Sequence, residues 1–180
     1  VTANTSISAT QSTLTKTGGG NWGAYTYSLE TYTTGLYVSF IPNNAGSGQY
    51  YSVGFDISSA SGLSDVGGGS GYKWYLNSNQ IVGYSTNTIV VPAITTNYNT
   101  NTYSLYYNGT TVGYYVNNQL QYSEMRSGTG ALRFYVKFFG TGASIKSLVV
   151  SSTLPSKLIT GLLNRTYTYT VTAKNANGYS

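Results

Sequence analysis

The 180-residue sequence contains no cysteine and no histidine, and it has only four acidic residues. Without cysteine it forms neither a disulfide nor a thiolate metal site. Without histidine it lacks the commonest general base and the commonest metal ligand. Glycoside hydrolysis needs a pair of carboxylates at a defined separation, and the sequence has no close pair among Glu30, Asp56, Asp65 and Glu124. We therefore predict a non-catalytic protein that needs no cofactor.

Charge is also scarce, at 7% of residues, and the net charge of +5 comes from nine cations spread singly along the chain. Nucleic-acid-binding proteins usually concentrate their cations on one face or in one run. The sequence also has no apolar run long enough to span a bilayer. We therefore predict neither nucleic-acid binding nor membrane insertion, while the weak positive charge leaves attraction to an acidic glycan open.

The polarity comes instead from Ser, Thr, Asn and Gly, together with 20 tyrosines. Tyr and Thr favour strands, and Asn, Gly and Ser favour turns. Short alternating runs between such turns are typical of a sandwich, and no segment shows the 3.6-residue period of a helix. The predicted strands are Thr5–Thr15, Ala24–Glu30, Gly35–Ile41, Tyr50–Asp56, Tyr72–Leu76, Gln80–Tyr84, Thr102–Tyr107, Thr111–Val116, Gln119–Ser123, Leu132–Phe139 and Ser144–Val150.

The clearest local pattern lies between residues 102 and 122. Asn108-Gly109 joins two tyrosine-rich runs, and Asn117-Asn118 joins the second run to Leu120–Tyr122. Both pairs suit a two-residue hairpin turn, which needs positive φ at its central positions. We therefore predict a three-stranded antiparallel meander.

Three longer runs resemble parts of a known family. The run Tyr103-Ser-Leu-Tyr-Tyr-Asn-Gly-Thr-Thr-Val-Gly-Tyr-Tyr-Val-Asn-Asn-Gln-Leu resembles the concave-sheet meander of concanavalin A-like (laminin-G-like) jelly rolls. The runs Arg133-Phe-Tyr-Val-Lys-Phe-Phe and Ser144-Ile-Lys-Ser-Leu-Val-Val resemble the closing strands of that group. The resemblance covers residues 1–152 and implies an antiparallel two-sheet jelly-roll sandwich.

Residues 153–180 differ in kind. After Pro155, the residues Tyr167, Tyr169 and Val171 alternate with threonines, and Leu158–Tyr179 resembles the second half of a fibronectin type III-like repeat. Such repeats commonly join adhesive domains, so the resemblance implies a modular extracellular, cell-surface or virion-surface protein. An alternating strand without a partner invites pairing with another sheet, which leaves self-association open.

The best local cluster of binding residues is the segment Tyr72–Asn77. Sugars stack their C–H faces on aromatic rings, while Asn, Asp and backbone amides bind the hydroxyls. Alternation puts Tyr72 and Trp74 on one face of a strand and Lys73 on the other. We predict ligand contacts from these three residues and Asn77, with the alternative that Trp74 belongs to the core.

Three further aromatic residues are candidates for a sugar platform. Trp22 stands in a glycine-flanked, loop-like segment, which favours exposure of its ring. Tyr106 and Tyr115 lie opposite the expected buried set of the meander. They either line a groove or stabilise cross-strand pairs on the outer face.

One enzyme class stays open, the jelly-roll polysaccharide lyases, because Tyr135-Val-Lys137 echoes a Tyr-x-Lys element of that family. The Gln-Ile-His and Arg-x-Glu elements of the family are absent from the sequence. A calcium site needs several oxygen ligands, usually including carboxylates. Asp65 could supply only one of them, so no metal site is predicted.

Together these features predict a non-catalytic module that binds a neutral or acidic glycan and attaches a surface protein to a host or a cell wall. A structural module of a virion or fibre, with tyrosine-rich faces buried against partner chains, is the first alternative. A lyase acting on an acidic glycan is the second.

Overall fold

The computed structural model describes residues 2–3, 7–10, 12–19, 22–43, 48–57, 71–153, 174–175 and 178–179. Within these ranges the regular elements are all β-strands. Two seven-stranded sheets built from antiparallel pairs face each other across one hydrophobic core. The all-β sandwich predicted from the sequence is therefore confirmed.

The strands, in chain order, are β1 (Thr2–Ala3), β2 (Ile7–Thr10), β3 (Thr13–Lys16), β4 (Ala24–Tyr27), β5 (Leu36–Pro42), β6 (Tyr50–Asp56), β7 (Tyr72–Asn77), β8 (Gln80–Ser85), β9 (Thr88–Ile94), β10 (Tyr103–Tyr107), β11 (Thr111–Val116), β12 (Gln119–Met125), β13 (Arg133–Phe138), β14 (Ser144–Ser151), β15 (Lys174–Asn175) and β16 (Gly178–Tyr179). Sheet A has the order β1-β4-β13-β6-β7-β8-β9, and sheet B has the order β12-β11-β10-β5-β14-β3-β2.

The core lies between the inner faces of the two sheets. Sheet A contributes alternate residues such as Val53 and Phe55 of β6, and sheet B contributes Leu36 and Val38 of β5, all fully buried. Removing these apolar side chains from water is the main favourable term in folding. The residues between them point outward, so each sheet also has an outer face on which a site can be built.

The meander of β10, β11 and β12 lies in sheet B, as predicted. Its second turn has the expected geometry, because Asn117 and Asn118 have φ angles of 50° and 65°. The Asn117 side chain strengthens this turn, since its Oδ1 accepts the Thr102 N–H at 2.9 Å.

The first turn of the meander is longer than predicted. Strand β10 ends at Tyr107 and β11 begins at Thr111, which leaves residues 108–110 in the loop, and within that loop only Gly109 has a positive φ. The Asn108 Oδ1 instead accepts the N–H groups of Thr110 at 2.9 Å and Thr111 at 2.8 Å. A side-chain acceptor of this kind supplies the bonds that a tight two-residue turn would have made through the backbone.

Several strand predictions differ from the structure: β1 was not predicted, and β4 ends at Tyr27 instead of Glu30. The single strand expected over Thr5–Thr15 is the hairpin of β2 and β3, which pairs Ile7 with Lys16. Strand β9 was not predicted, because Pro92 interrupts its apolar run. Proline is tolerated in a strand at the edge of a sheet, and β9 is the edge strand of sheet A.

Most of the fibronectin-like segment lies outside the described residues. Within it, Lys174 pairs with Tyr179 and Asn175 pairs with Gly178 in a short antiparallel ladder. The domain boundary near residue 153 stays a prediction, and Asp65 lies outside the described residues. In the parts of the chain that the structure does describe, no helix has the length and apolarity needed to cross a membrane.

Candidate functional site

An open aromatic depression lies on the outer face of sheet A. The described residues that line it are Trp22, Tyr50, Tyr75 and Phe139, and its volume is about 460 Å³. All four side chains are half-buried, so each keeps some solvent-accessible surface. We refer to this feature as the aromatic depression.

Phe139 is the contact point of the aromatic depression. Its ring centroid lies 5.4 Å from that of Trp22, with 48° between the ring planes. It lies 5.7 Å from that of Tyr50, with 85° between the planes. Tilted and edge-to-face pairs at these distances are favourable aromatic contacts, so the rings hold one another in place.

Strand alternation and register bring these rings together. Tyr50 precedes the buried Tyr51, and Tyr75 follows the buried Trp74, so both point outward. Strand β6 pairs with β7 so that Tyr75 stands opposite Ser52. The small Ser52 side chain leaves room between the aromatic residues of neighbouring strands.

Phe139 follows β13 directly. Its backbone N–H donates to the Tyr50 carbonyl oxygen at 2.9 Å, which ties the end of β13 to the start of β6. The preceding Phe138 is fully buried, so Phe139 turns outward. The backbone of the sheet therefore fixes the aromatic depression on at least two of its sides.

The hydroxyl of Tyr75 remains a hydrogen-bond donor over the physiological pH range. Burial, followed by the neighbouring Tyr50 and Tyr84, raises the pKa of Tyr75 to about 12. The ring of Tyr84 packs against that of Tyr75 at 6.1 Å, at an angle of 64°. The site therefore combines apolar ring faces with a protonated phenol and holds no charged group among its described lining residues.

Two of the sequence-predicted ligand residues lie at the aromatic depression or beside it. Trp22 lines it directly. Asn77 is paired with Tyr50 and lies two residues beyond Tyr75 on the same outer face, where it is half-buried. Among the predicted ligand residues, Asn77 is the polar residue that the strand register brings nearest to the aromatic depression.

Trp74 lies elsewhere, in the core, which is the second of the two alternatives weighed from the sequence. It is fully buried, and its indole N–H donates to the Ser104 carbonyl oxygen of the opposite sheet at 3.0 Å. Its ring makes edge-on contacts with Tyr103 at 5.1 Å and Tyr114 at 5.6 Å. No face of the ring is left for a sugar.

Tyr72 and Lys73 are also buried, at 4% and 0% exposure. Tyr72 points into the core, and its hydroxyl oxygen accepts the Ser127 N–H at 3.0 Å. Lys73 lies on the outer face of sheet A opposite Gly54. Because neither side chain has appreciable exposed surface, the structure does not bring them to the aromatic depression.

Tyr106 and Tyr115 lie on the outer face of sheet B, away from the aromatic depression. Both are half-buried. The Tyr115 ring folds back over Gly113, where an added Cβ would stand 2.8 Å from a ring carbon. The structure therefore separates the seven predicted ligand residues into a core group, a sheet A group and a sheet B group.

Three of the lining residues were not predicted from the sequence as site residues: Tyr50, Tyr75 and Phe139. A usable signal was present, because each belongs to a pair of adjacent aromatic residues: Tyr50-Tyr51, Trp74-Tyr75 and Phe138-Phe139. In a strand such a pair must divide between the two faces. Where one member is buried, the other is a candidate for the outer surface.

The Tyr-x-Lys element of β13 lies on the same outer face but is enclosed. Tyr135 is fully buried and Lys137 is 9% exposed. Burial, with Asp56 as a second cause, raises the pKa of Tyr135 far above its usual value. Among the described residues no cluster of carboxylates suited to a metal ion occurs.

No model of a known protein family matches the sequence, and no curated protein matches it. Solved structures with the same fold do exist. One is the carbohydrate-binding module CBM66 from Bacillus subtilis, which is 13% identical with a TM-score of 0.55, over 84% of this chain and 94% of that one.

Two further structures show the same likeness. The potassium-bound carbohydrate recognition domain of Emp46p is 8% identical with a TM-score of 0.55, over 82% of this chain and 84% of that one. The PSpry domain of TRIM65 is 12% identical with a TM-score of 0.55, over 82% and 85%. At these identities the likeness establishes the jelly-roll fold and nothing further about this chain.

Proposed function

We propose that this protein is a non-catalytic glycan-binding module, which attaches a modular surface protein to glycans of a host or of a cell wall. The observation that carries the proposal is the aromatic depression, where Trp22, Tyr50, Tyr75 and Phe139 stay partly exposed around an open volume of about 460 Å³. Partly exposed aromatic rings in an open depression supply apolar contact area with little conformational entropy to lose. Sugar rings present C–H faces that fit such surfaces.

The fold is consistent with the proposal, but glycan binding is inferred from the site. Two of the similar structures are named as carbohydrate-binding domains, while the third is a PSpry domain. One fold hosts many functions, so function has to be argued from the site. Host and cell-wall glycans are displayed outside cells, and we therefore propose that the module stands on a cell or virion surface.

A lyase is the less favoured reading of the same sheet. Its tyrosine would have to reach the substrate and accept a proton, whereas the only Tyr-x-Lys tyrosine, Tyr135, has no exposed surface. The raised pKa of that hydroxyl further opposes its ionisation. We propose binding without turnover.

A structural, assembly-forming module is the second candidate, and one observation favours it. Strand β12 is the edge of sheet B, and its Leu120 and Met125 are 55% and 75% exposed. Tyr106 and Tyr115 extend this surface across the outer face of sheet B. Exposed edges with apolar residues tend to pair with other chains.

The protein has two tryptophans, the partly exposed Trp22 of the aromatic depression and the buried Trp74 of the core. Tryptophan fluorescence can therefore test the proposal. We expect hits on a broad glycan array, and titration with a hit oligosaccharide should shift the emission of the exposed Trp22. The variants Trp22→Ala and Tyr75→Ala should each lower the affinity about 10-fold, which corresponds to about 1.4 kcal/mol per stacking ring. The buried Trp74 reports in every variant that the fold is intact.

Tyr115→Ala is the matched control, because it removes an equally half-buried ring from sheet B and should leave the affinity unchanged. Absence of binding across the array would overturn the proposal. So would binding that survives both substitutions in the aromatic depression. Loss of binding in the Tyr115→Ala variant alone would move the site to sheet B.

A further inference from the structure

The rings that meet at Phe139 do not share a plane. The Trp22 ring is inclined to the Phe139 ring by 48°, and the Tyr50 ring by 85°. Resting on the proposed glycan-binding function, we infer that the aromatic depression takes a single glycan chain free in solution and does not bind the flat surface of a crystalline polysaccharide.

A flat surface lies face-on against two rings at once only if those rings are coplanar. Because the Tyr50 ring is almost perpendicular to that of Phe139, a crystal face that stacks on one meets only the edge of the other. A planar array that stacks face-on against Phe139 therefore cannot also stack face-on against Trp22 or Tyr50.

A single chain has no such restriction. It can enter the concave volume of about 460 Å³ and place one sugar face on the Trp22 side and another surface against Tyr50. Rotation about glycosidic bonds lets neighbouring sugars present different faces to walls that are inclined to each other. Contact with several rings, which affinity requires, is then compatible with the ring angles observed.

Hydrogen bonding points the same way. The Tyr50 and Tyr75 hydroxyls belong to the lining residues, and a phenol donates to a sugar hydroxyl that is free to accept. In a crystalline polysaccharide the hydroxyls already bond to neighbouring chains, whereas in a soluble chain they bond to exchangeable water. The phenols therefore gain more from a soluble chain, because no crystal contact has to break.

The test compares soluble and crystalline ligands on the same protein. Soluble ligands are the array hits together with cellohexaose and chitohexaose, titrated by tryptophan fluorescence. Crystalline ligands are slurries of microcrystalline cellulose and crystalline chitin, scored by depletion of protein from the supernatant. We expect at least one soluble glycan to bind with Trp22-dependent affinity, and both slurries to bind at least 10-fold more weakly.

Depletion by a slurry that is equal to or tighter than soluble binding, and that is abolished by Trp22→Ala, would overturn the inference while leaving the glycan-binding function standing. Binding to no soluble and no crystalline glycan would overturn both. A further measurement guards against variants that misfold. Phe139→Ala, which removes the ring common to both pairs, should weaken soluble binding at least as much as Tyr50→Ala, with Trp74 emission unchanged in both.

Discussion

Two aromatic clusters in this protein have similar distances between their rings but lie in opposite environments. In the core, Trp74 lies 5.1 Å and 5.6 Å from two tyrosine rings. In the aromatic depression, Phe139 lies 5.4 Å and 5.7 Å from Trp22 and Tyr50. Ring contact therefore does not separate a structural cluster from a functional one. What separates them is whether the remaining ring faces and polar atoms are already occupied.

Two polar atoms of the core cluster are bonded within the core. The Trp74 indole N–H bonds to Ser104, and the Tyr114 hydroxyl donates to the Tyr84 carbonyl oxygen at 2.6 Å. The aromatic depression leaves its rings half-exposed. The comparison predicts that substitutions in the core change stability, whereas substitutions in the aromatic depression change binding.

The strongest test of this difference between the two clusters is to truncate each tryptophan in turn. Trp74→Ala should lower the free energy of unfolding by about 3–5 kcal/mol, because it opens a cavity between the sheets and removes the bond to Ser104. Trp22→Ala should cost less than about 1 kcal/mol, because its ring is already partly in water. Urea unfolding measures both, and an equal loss in the two variants would contradict the distinction.

Alkaline pH should lower the free energy of unfolding through the buried tyrosines of the core. Burial raises the pKa of Tyr103 to about 12 and that of Tyr51 well above its usual range. In the unfolded chain both ionise near pH 10. The free energy of unfolding should therefore be constant up to about pH 10 and fall as the pH rises toward 12, by about 1 kcal/mol for each such tyrosine at pH 11.

Urea midpoints at pH 8, 10 and 11 check this effect, with tyrosinate absorbance as an independent probe of unfolding. Tyr103→Phe removes one of the groups, so it should reduce the loss between pH 10 and pH 11. A midpoint that is independent of pH, or one that rises, would show that the buried tyrosines do not have raised pKa values.

A smaller effect concerns two buried tyrosine hydroxyls in the core, one with a hydrogen-bond partner and one without a partner in the described part of the chain. Removing each hydroxyl should change the free energy of unfolding in opposite directions. Tyr114→Phe should cost about 1 kcal/mol, because it removes the donor to the Tyr84 carbonyl oxygen. Tyr51→Phe should be neutral or stabilising by up to about 1 kcal/mol, because its buried hydroxyl has no hydrogen-bond partner among the described residues. Thermal unfolding of the two variants side by side gives the signs, and a shared sign would refute the distinction.

The smallest expected effect lies at the turn between β11 and β12. Asn118 has a φ of 65°, a conformation that glycine adopts without strain. Asn118→Gly should change the free energy of unfolding by less than about 0.5 kcal/mol, whereas Asn118→Val should cost more, because a β-branched residue is strained there. Neither change should affect glycan affinity, since the turn lies in sheet B.

The fold was largely predictable from the sequence because its local signals agree with one another. Asn117-Asn118 specifies its turn through the φ angles that asparagine tolerates, and the tyrosine-rich run before it favours a strand. The failures have physical causes. Pro92 concealed an edge strand, and the side chain of Asn108 replaced the expected tight turn by a longer one.

The site was less predictable than the fold. Trp22 was identified because its glycine-flanked position suggested exposure, and it lines the aromatic depression. Trp74 and Tyr75 show the limit, since alternation separates them onto opposite faces but does not say which face is inside. That choice depends on which face of the sheet meets sheet B, and this follows only from the tertiary arrangement.

The three adjacent aromatic pairs have a consequence for how this protein tolerates change. Positions 50, 75 and 139 can vary without touching the interior, so the ligand preference can drift while positions 51, 74 and 138 keep the sandwich intact. A one-residue insertion or deletion within β6 or β7 has the opposite effect, because it exchanges the inward and outward members of a pair. Such a change would disrupt the fold and the site together. Strands β6 and β7 therefore tolerate substitutions at these outward positions but not insertions or deletions.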